Sequence, residues 1–209
     1  MVKSSHEEIE FVYTDIDVDD IRKLLEEAGA EFIFDETYDI VVFDYPDLRL
    51  NDDGAWIKLR QIEGKETTLS FKRRIRANDD HRGFNDTGMQ EIEFEVSDFQ
   101  KVYDFFVAMG MMTKKQQEKR RVRYMLDGVE FDIDYWPLIK PYLEVEGNSE
   151  EEIDRAVAKV GLDPEEKRQI NGWFIYKEQG INLHDYKVLT FDHQEMQDNG
   201  GRGTENDGK

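Results

Sequence analysis

Glutamates in the pattern E-x-E occur at Glu8 and Glu10, at Glu91 and Glu93, and at Glu144 and Glu146, each time in a run that alternates charged with apolar residues. Alternation of this kind puts the charged side chains on one face of a β-strand and the apolar ones on the other. Basic strands are written in the same way, with Lys58 and Arg60, Lys72 and Arg74, and Lys119, Arg121 and Arg123; Asp132 and Asp134 add an aspartate strand. Each strand is thus all acidic or all basic on its charged face. Grouped carboxylates suit a hard divalent cation, and arginine and lysine suit phosphate oxygens. The charged face is therefore either the wet side of an antiparallel sheet or the lining of a cavity that holds cations together with an anion.

These residues need elements to position them. The opposite face carries Ile9, Phe11, Ile57, Leu59, Leu69, Phe71, Ile92, Phe94, Val122, Tyr124, Phe131, Ile133, Leu143 and Val145, and it must be covered. Each E-x-E strand leads into a helix that can do so. Asp residues open the first, Ile21, Leu24, Leu25 and Ala28 form its apolar stripe, and Gly29 ends it. Ser97-Asp-Phe-Gln100 and Ser149-Glu-Glu-Glu152 spell capping boxes for two more, ended by Gly110 and Gly161. This strand–helix–glycine unit is a repeat too irregular for a solenoid. Further strands are expected over 40–45, 55–61, 67–73, 120–126 and 129–135, with the last two joined by the hairpin signal Asp127-Gly128. Eight strands suffice to close an antiparallel barrel, so the expected fold is α+β: a closed eight-stranded barrel, or tunnel, with helices packed outside. Residues 77–88 read as a polar loop, 163–180 as a C-terminal helix, 1–192 as one domain, and 193–209 as a disordered tail.

Composition narrows the partners. The 209 residues include 48 acidic and 28 basic side chains, a formal net charge of −20, which disfavours nucleic acid or an anionic membrane as main partner. A small anion held in a locally positive field, or through metal ions, remains compatible. There is no cysteine, hence no disulfide, thiolate nucleophile or zinc–thiolate site, in keeping with a reducing cytoplasm. No apolar run has the length of a membrane span and no signal-peptide core is visible, so a soluble, cytoplasmic protein is expected.

Taken in order, these segments resemble the CYTH superfamily, the triphosphate tunnel metalloenzymes that include class IV adenylate cyclases, thiamine triphosphatases and inorganic triphosphatases. Glu8-x-Glu10 stands where the family's opening E-x-E-x-K stands, and FDYPDLRLNDDGAWIKLR (residues 43–60) resembles its D-x-P segment and R-x-R strand. Leu69-Ser-Phe-Lys72 resembles its L-T-x-K strand, Gln90-Glu-Ile-Glu93 its central E-x-E, and EKRRVRYML, FDID and YLEVEG its K-x-R, aspartate and closing strands. The likeness runs over about residues 8–191, and NLHDYKVLTF is closer to the bacterial cyclase-like branch. One position departs: Val12 stands where the signature has a lysine.

The resemblance implies a triphosphate bound in a charged lumen with Mg²⁺ or Mn²⁺. It places metal on Glu8, Glu10, Glu144 and Glu146, with Asp132 and Asp134 as further ligands. Phosphate falls to Lys58, Arg60, Lys72, Lys119 and Arg121, with Arg74 and Arg123 as candidates to compensate for Val12. Glu91 and Glu93 orient these cations, and Glu8, Glu10 and Lys72 are the residues on which catalysis is expected to depend. Three functions fit: hydrolysis of inorganic, nucleoside or thiamine triphosphate, adenylate cyclisation to cyclic AMP and pyrophosphate, and a module that binds a phosphorylated ligand without turnover. Homodimerisation is compatible with the resemblance.

Overall fold

A computed structural model of the chain describes residues 9–62, 64–76 and 86–197. Ten strands form one sheet: β1 (Ile9–Tyr13), β2 (Glu31–Asp44), β3 (Ala55–Ile62), β4 (Thr67–Arg76), β5 (Asp86–Val96), β6 (Met112–Leu126), β7 (Val129–Tyr135), β8 (Tyr142–Gly147), β9 (Tyr186–Leu189) and β10 (Gln194–Met196). The main path runs β1-β8-β7-β6-β2-β3-β4-β5, antiparallel throughout, and β9 adds to β6 in parallel with β10 beside it. The architecture is α+β, as expected. The expected closure is not seen: among the described residues β1 and β5 do not pair, and the sheet is open. A physical reason lies at β1, whose outer edge is already used. The Val12 N–H donates to the Arg168 carbonyl at 2.9 Å, and the Arg168 N–H returns to the Val12 carbonyl at 3.0 Å.

The three repeat helices cover most of the apolar face, but Ile92 and Phe94 of β5, beyond their reach, stay 46% and 52% exposed. These helices are α1 (Val18–Glu27), α3 (Phe99–Ala108) and α4 (Glu150–Val160), with a short α2 (Arg49–Asp52) after β2. Caps start them: the Asp17 carboxylate accepts from the N–H groups of Asp19 and Asp20, and the Ser149 hydroxyl from that of Glu152. The α3 cap is Asp98 rather than Ser97, its carboxylate accepting from the Lys101 N–H at 3.0 Å. Ile21 and Leu25 of α1 and Ile153, Ala156, Val157 and Val160 of α4 pack on Phe11, Val122, Phe131, Ile133, Leu143 and Val145. Phe99, Val102, Tyr103 and Phe106 of α3 pack on Val41, Phe43 and Leu59. At 1.5–3 kcal/mol per fully buried large apolar side chain, these two layers are the main source of stability. Asp127 and Gly128 both take positive φ, 52° and 86°, the two-residue turn that joins β6 to β7.

The C-terminal segment departs from the pattern-based expectation. In place of one helix over 163–180 there is a 3₁₀ turn (Pro164–Glu166), an extended stretch that carries the Arg168 bridge, and α5 (Gly172–Glu178) capped by Asn171. Backbone pairing with β1 wins over helix continuity. Ile170 and Ile175 from this strap pack with Val12, Trp136, Ile139 and Tyr142 in a small third core. Gln194–Met196 lies in β10, beyond the residue at which the tail was expected to begin; residues 198–209 lie outside the described residues. Of the expected loop, residues 77–85 lie outside the described residues and 86–88 belong to β5.

Candidate functional site

Register decides which side chains share the charged face. Cross-strand partners run Lys72 with Glu91, Lys58 with Ser70 and Val42, Arg121 with Glu36 and Asp134, Arg123 with Phe34 and Asp132, Asp132 with Glu144, and Glu10 with Glu146. Directly opposed residues point to the same side of a sheet, so the acidic and basic strands read from the sequence do meet on one face. This face bounds a cavity of about 430 Å³ whose lining includes Lys58, Arg60, Lys119, Arg121, Arg123 and Glu36, together with the rings of Phe34, Tyr38, Trp56 and Trp136. A larger and more open hollow, about 630 Å³, lies between the β3–β4 turn and the start of α3. It mixes Lys65 with Glu66, Glu95 and Asp98 and gathers no basic cluster, so the smaller cavity is the better anion site.

In the wing formed by β6, β7, β8 and β1, cations and carboxylates neutralise one another. The Arg121 guanidinium bonds Asp134 through Nε and Nη2 at 2.7 and 2.8 Å, reaches Glu144 Oε1 at 2.6 Å, and also pairs with Asp132. Arg123 forks onto Asp132 at 2.7 and 2.6 Å and meets Glu130 at 2.6 Å; Lys119 meets Asp134 at 2.6 Å. Burial would raise the Asp134 carboxyl, but the Lys119 ammonium and the Arg121 guanidinium outweigh it and hold its pKa below the usual range. Glu10 and Glu144 differ. Their carboxyl groups hydrogen-bond each other, and burial lifts both. Glu144, with Asp134 adding to the effect of burial, is pushed up to about 8. Glu10 is open to water at the rim, yet enough protein surrounds it to raise its pKa.

In the wing formed by β3, β4 and β5 the pairing is looser. Lys72 meets Glu91 at 2.9 Å and Arg60 meets Glu93 at 3.7 Å, with both glutamates more than one-third exposed. Lys58 has no carboxylate in ion-pair contact among the described residues. Burial, then the neighbouring charges of Lys72 and Arg60, push its ammonium down to about 8. Arg74 stacks towards Trp56 at 5.8 Å. Rings also back Arg60 (Tyr38, 5.3 Å), Lys119 (Trp136, 5.2 Å) and Arg123 (Phe34, 5.3 Å).

The structure thus brings together Glu10, Lys58, Arg60, Lys72, Arg74, Glu91, Glu93, Lys119, Arg121, Arg123, Asp132, Asp134, Glu144 and Glu146 on one face. Glu8 lies outside the described residues. Sequence reasoning missed the whole β2 contribution (Phe34, Glu36, Tyr38, Ile40 and Val42) and Trp56, Gln117 and Trp136. Residues 34–38 alternate F-D-E-T-Y, a period-2 signal broken by acidic residues on both faces. Val12 is 1% exposed, sealed under Ile175 by the C-terminal strap rather than open to the cavity.

A model of the CYTH domain matches residues 6–173. This chain belongs to the CYTH family. Among solved structures the CYTH chain is similar to a conserved hypothetical protein from Pyrococcus furiosus, at 23% identity and a TM-score of 0.61, covering 81% of this chain and 99% of that one. It is similar to a candidate adenylate cyclase from Vibrio parahaemolyticus at 14% identity and TM-score 0.64, covering 83% and 99%. A third likeness is to a Hippeastrum candidate adenylyl cyclase with dominant triphosphatase activity, at 13% identity and TM-score 0.55, covering 84% and 96%. These likenesses establish the fold. No match is found among curated proteins. Among the described residues no helix is long and apolar enough to cross a membrane.

Metal ligation can be tested against the side chains present. Among the described residues no three acidic or imidazole groups converge as a metal cluster. Glu10 and Glu144 nevertheless fit a hard divalent ion, since two carboxyls held together with raised pKa values accept a cation in place of a proton. Mg²⁺ commonly takes only one or two carboxylates and completes its shell with water and substrate phosphates.

Proposed function

We propose that this CYTH protein binds a triphosphate on its charged face and hydrolyses it with a divalent metal ion, Mg²⁺ or Mn²⁺. The observation that carries this reading is Lys58. A half-buried ammonium beside Lys72 and Arg60, without an ion-pair partner among the described residues of a chain of net charge −20, is a place built for a polyanion. Arg60 and Lys72 supply further phosphate contacts and are held in place by Glu93 and Glu91. Lys119, Arg121 and Arg123, each paired with carboxylates, frame the cavity along β6, with Arg74 at the far rim. Glu10 and Glu144 hold the metal, with Glu8, Glu146, Asp132 and Asp134 as supporting carboxylates. When bound, the ion supplies charge neutralisation at the terminal phosphoryl group and an ordered water for attack. The dominant triphosphatase activity of the Hippeastrum protein supports hydrolysis over cyclisation.

The rings of Phe34, Tyr38, Trp56 and Trp136 favour a second reading in which an organic group accompanies the triphosphate, as in nucleoside or thiamine triphosphates or in cyclase chemistry on ATP. One experiment separates these. Purified protein is incubated with ATP or tripolyphosphate and Mg²⁺ or Mn²⁺, and products are resolved. Orthophosphate from either substrate is expected. Cyclic AMP with pyrophosphate would move the protein to the cyclase reading, and metal-dependent stabilisation by triphosphate without product would leave a binding module.

A further inference from the structure

Lys115 takes no part in the site described so far, yet it stands on the same strand face. Along β6 the residues that line the cavity are Gln117, Lys119, Arg121 and Arg123, and Lys115 is the next in the alternation. Its cross-strand partner is Val42, which lines the cavity and whose other partner is Lys58. Lys58 and Lys115 therefore flank Val42, two strand spacings apart, about 10 Å between Cα positions. The register slips just beyond, where Phe43 opposes Thr113 and leaves Lys114 without a cross-strand partner. A bulge of this kind is a common device for re-aiming a neighbouring side chain at a functional site.

The partners of these lysines set them apart. Arg60, Lys72, Lys119, Arg121 and Arg123 each meet a carboxylate. Among the described residues neither Lys58 nor Lys115 forms an ion pair. The Lys115 ammonium instead donates to the Leu183 carbonyl at 2.6 Å, from the 3₁₀ turn Leu183–Asp185. Burial, followed by the charge of Lys114, pushes it down to about 8, as burial does for Lys58. A neutral donor would satisfy that carbonyl equally well, so anchoring the turn does not explain why a cation is kept there without a counterion.

We propose that Lys115 is a further anion-binding residue, and that Lys58 and Lys115, one on each side of Val42, form a two-lysine seat for the last phosphoryl group of a polyphosphate chain. This rests on the triphosphate reading given above. The Leu183 carbonyl holds the Lys115 ammonium until the anion takes its place. Lys115 lies across Val42 from Lys58, so it selects for chain length: a triphosphate held at Lys58, Arg60 and Lys72 reaches Lys115 and a pyrophosphate held there does not.

The test is calorimetric binding of tripolyphosphate and pyrophosphate, with Mg²⁺, to the full chain and to Lys115→Gln, Lys115→Arg and Lys58→Met. Glutamine keeps a donor for Leu183 and removes the charge. Lys115→Gln is expected to unfold no lower than wild type, to lose about tenfold or more in tripolyphosphate affinity, and to bind pyrophosphate as before, with Lys115→Arg restoring the loss. If Lys115→Gln binds tripolyphosphate as wild type does while Lys58→Met does not, Lys115 only anchors the turn, and the seat falls while the triphosphate reading stands. If wild type binds no tripolyphosphate, that reading falls and the seat with it. Labelling of wild type with pyridoxal phosphate and borohydride gives a check free of substitutions. Tripolyphosphate is expected to protect Lys115, and unchanged labelling would overturn the proposal.

Discussion

The two wings of the sheet carry the same residue types and treat them in opposite ways. On β6, β7, β8 and β1 the cations are locked: Arg121, 13% exposed, is shared among Asp132, Asp134 and Glu144, and the two aspartates are all but completely buried. On β3, β4 and β5 they are loose, with Lys58 unpaired among the described residues and Lys72 and Arg60 facing glutamates 40% and 37% exposed. Exposed pairs contribute about 0–1 kcal/mol and exchange partners readily, whereas losing one member of a buried pair costs about 3–5 kcal/mol. One wing is therefore a rigid electrostatic frame and the other is the part that can answer an incoming anion. Sequence pattern gives both the same spelling.

The largest effect that would break this contrast is expected at Arg121. Arg121→Ala leaves Glu144 without its arginine and the buried Asp132 and Asp134 with one cation fewer each, and is expected to lower unfolding stability by about 3–5 kcal/mol, read by urea denaturation. A variant of unchanged stability that had simply lost triphosphate affinity would make Arg121 a ligand contact and the two wings alike.

A smaller effect is expected at Val12→Lys, which restores the cation of the family signature. In an open lumen the substitution would add a phosphate contact. Here Val12 is packed under Ile175, Tyr142 and Ile170, and its backbone is bridged to Arg168. A longer, charged side chain must displace the strap, so a loss of about 2 kcal/mol or more is expected, without tighter tripolyphosphate binding. A gain in affinity with stability kept would show that the strap yields and that the locked wing can open.

These cases show what could be read from the sequence and what could not. Alternation and capping residues are local signals, so the E-x-E strands, the Asp127-Gly128 hairpin and helices α1, α3 and α4 were legible, as was the charged face. Which charge on that face meets which is a matter of register between strands far apart in the chain, and nothing local encodes it. The strap was misread for the same reason. Residues 163–180 carry a helix-like composition, and only the free edge of β1 converts residue 168 to extended backbone. Barrel closure was inferred from strand number, but an edge can equally be satisfied by a bridge of two hydrogen bonds. Lys115 escapes the pattern because the strand is expected to begin at 120 and the uncharged Gln117 separates it from Lys119, Arg121 and Arg123.

The finest way to sharpen the comparison is pH: Lys58 of the loose wing and Glu144 of the locked wing are both pushed to about 8, and removing Lys58 isolates its share. Lys58 sits at about 8, against about 10.4 for an unfolded lysine. Between these values the unfolded chain holds a proton that the folded chain has released, so this group makes the ligand-free protein more stable as pH rises through that window. Below about 8 both states are protonated, and the folded state carries the full cost of the charge. A bound triphosphate reverses the preference, since it needs the ammonium, and its affinity is expected to fall by up to about tenfold per pH unit above about pH 8 for this one proton. The Lys58 contributions to the unfolding midpoint and to the calorimetric affinity should thus change in opposite directions between about pH 7 and pH 9.5, and the difference between wild type and Lys58→Met isolates them. In Lys58→Met both slopes should differ from wild type by one proton's worth, leaving the parts due to Lys115 and Glu144. Slopes identical in wild type and Lys58→Met would mean that Lys58 neither titrates in this range nor meets the anion, and the loose wing would lose its distinguishing cation.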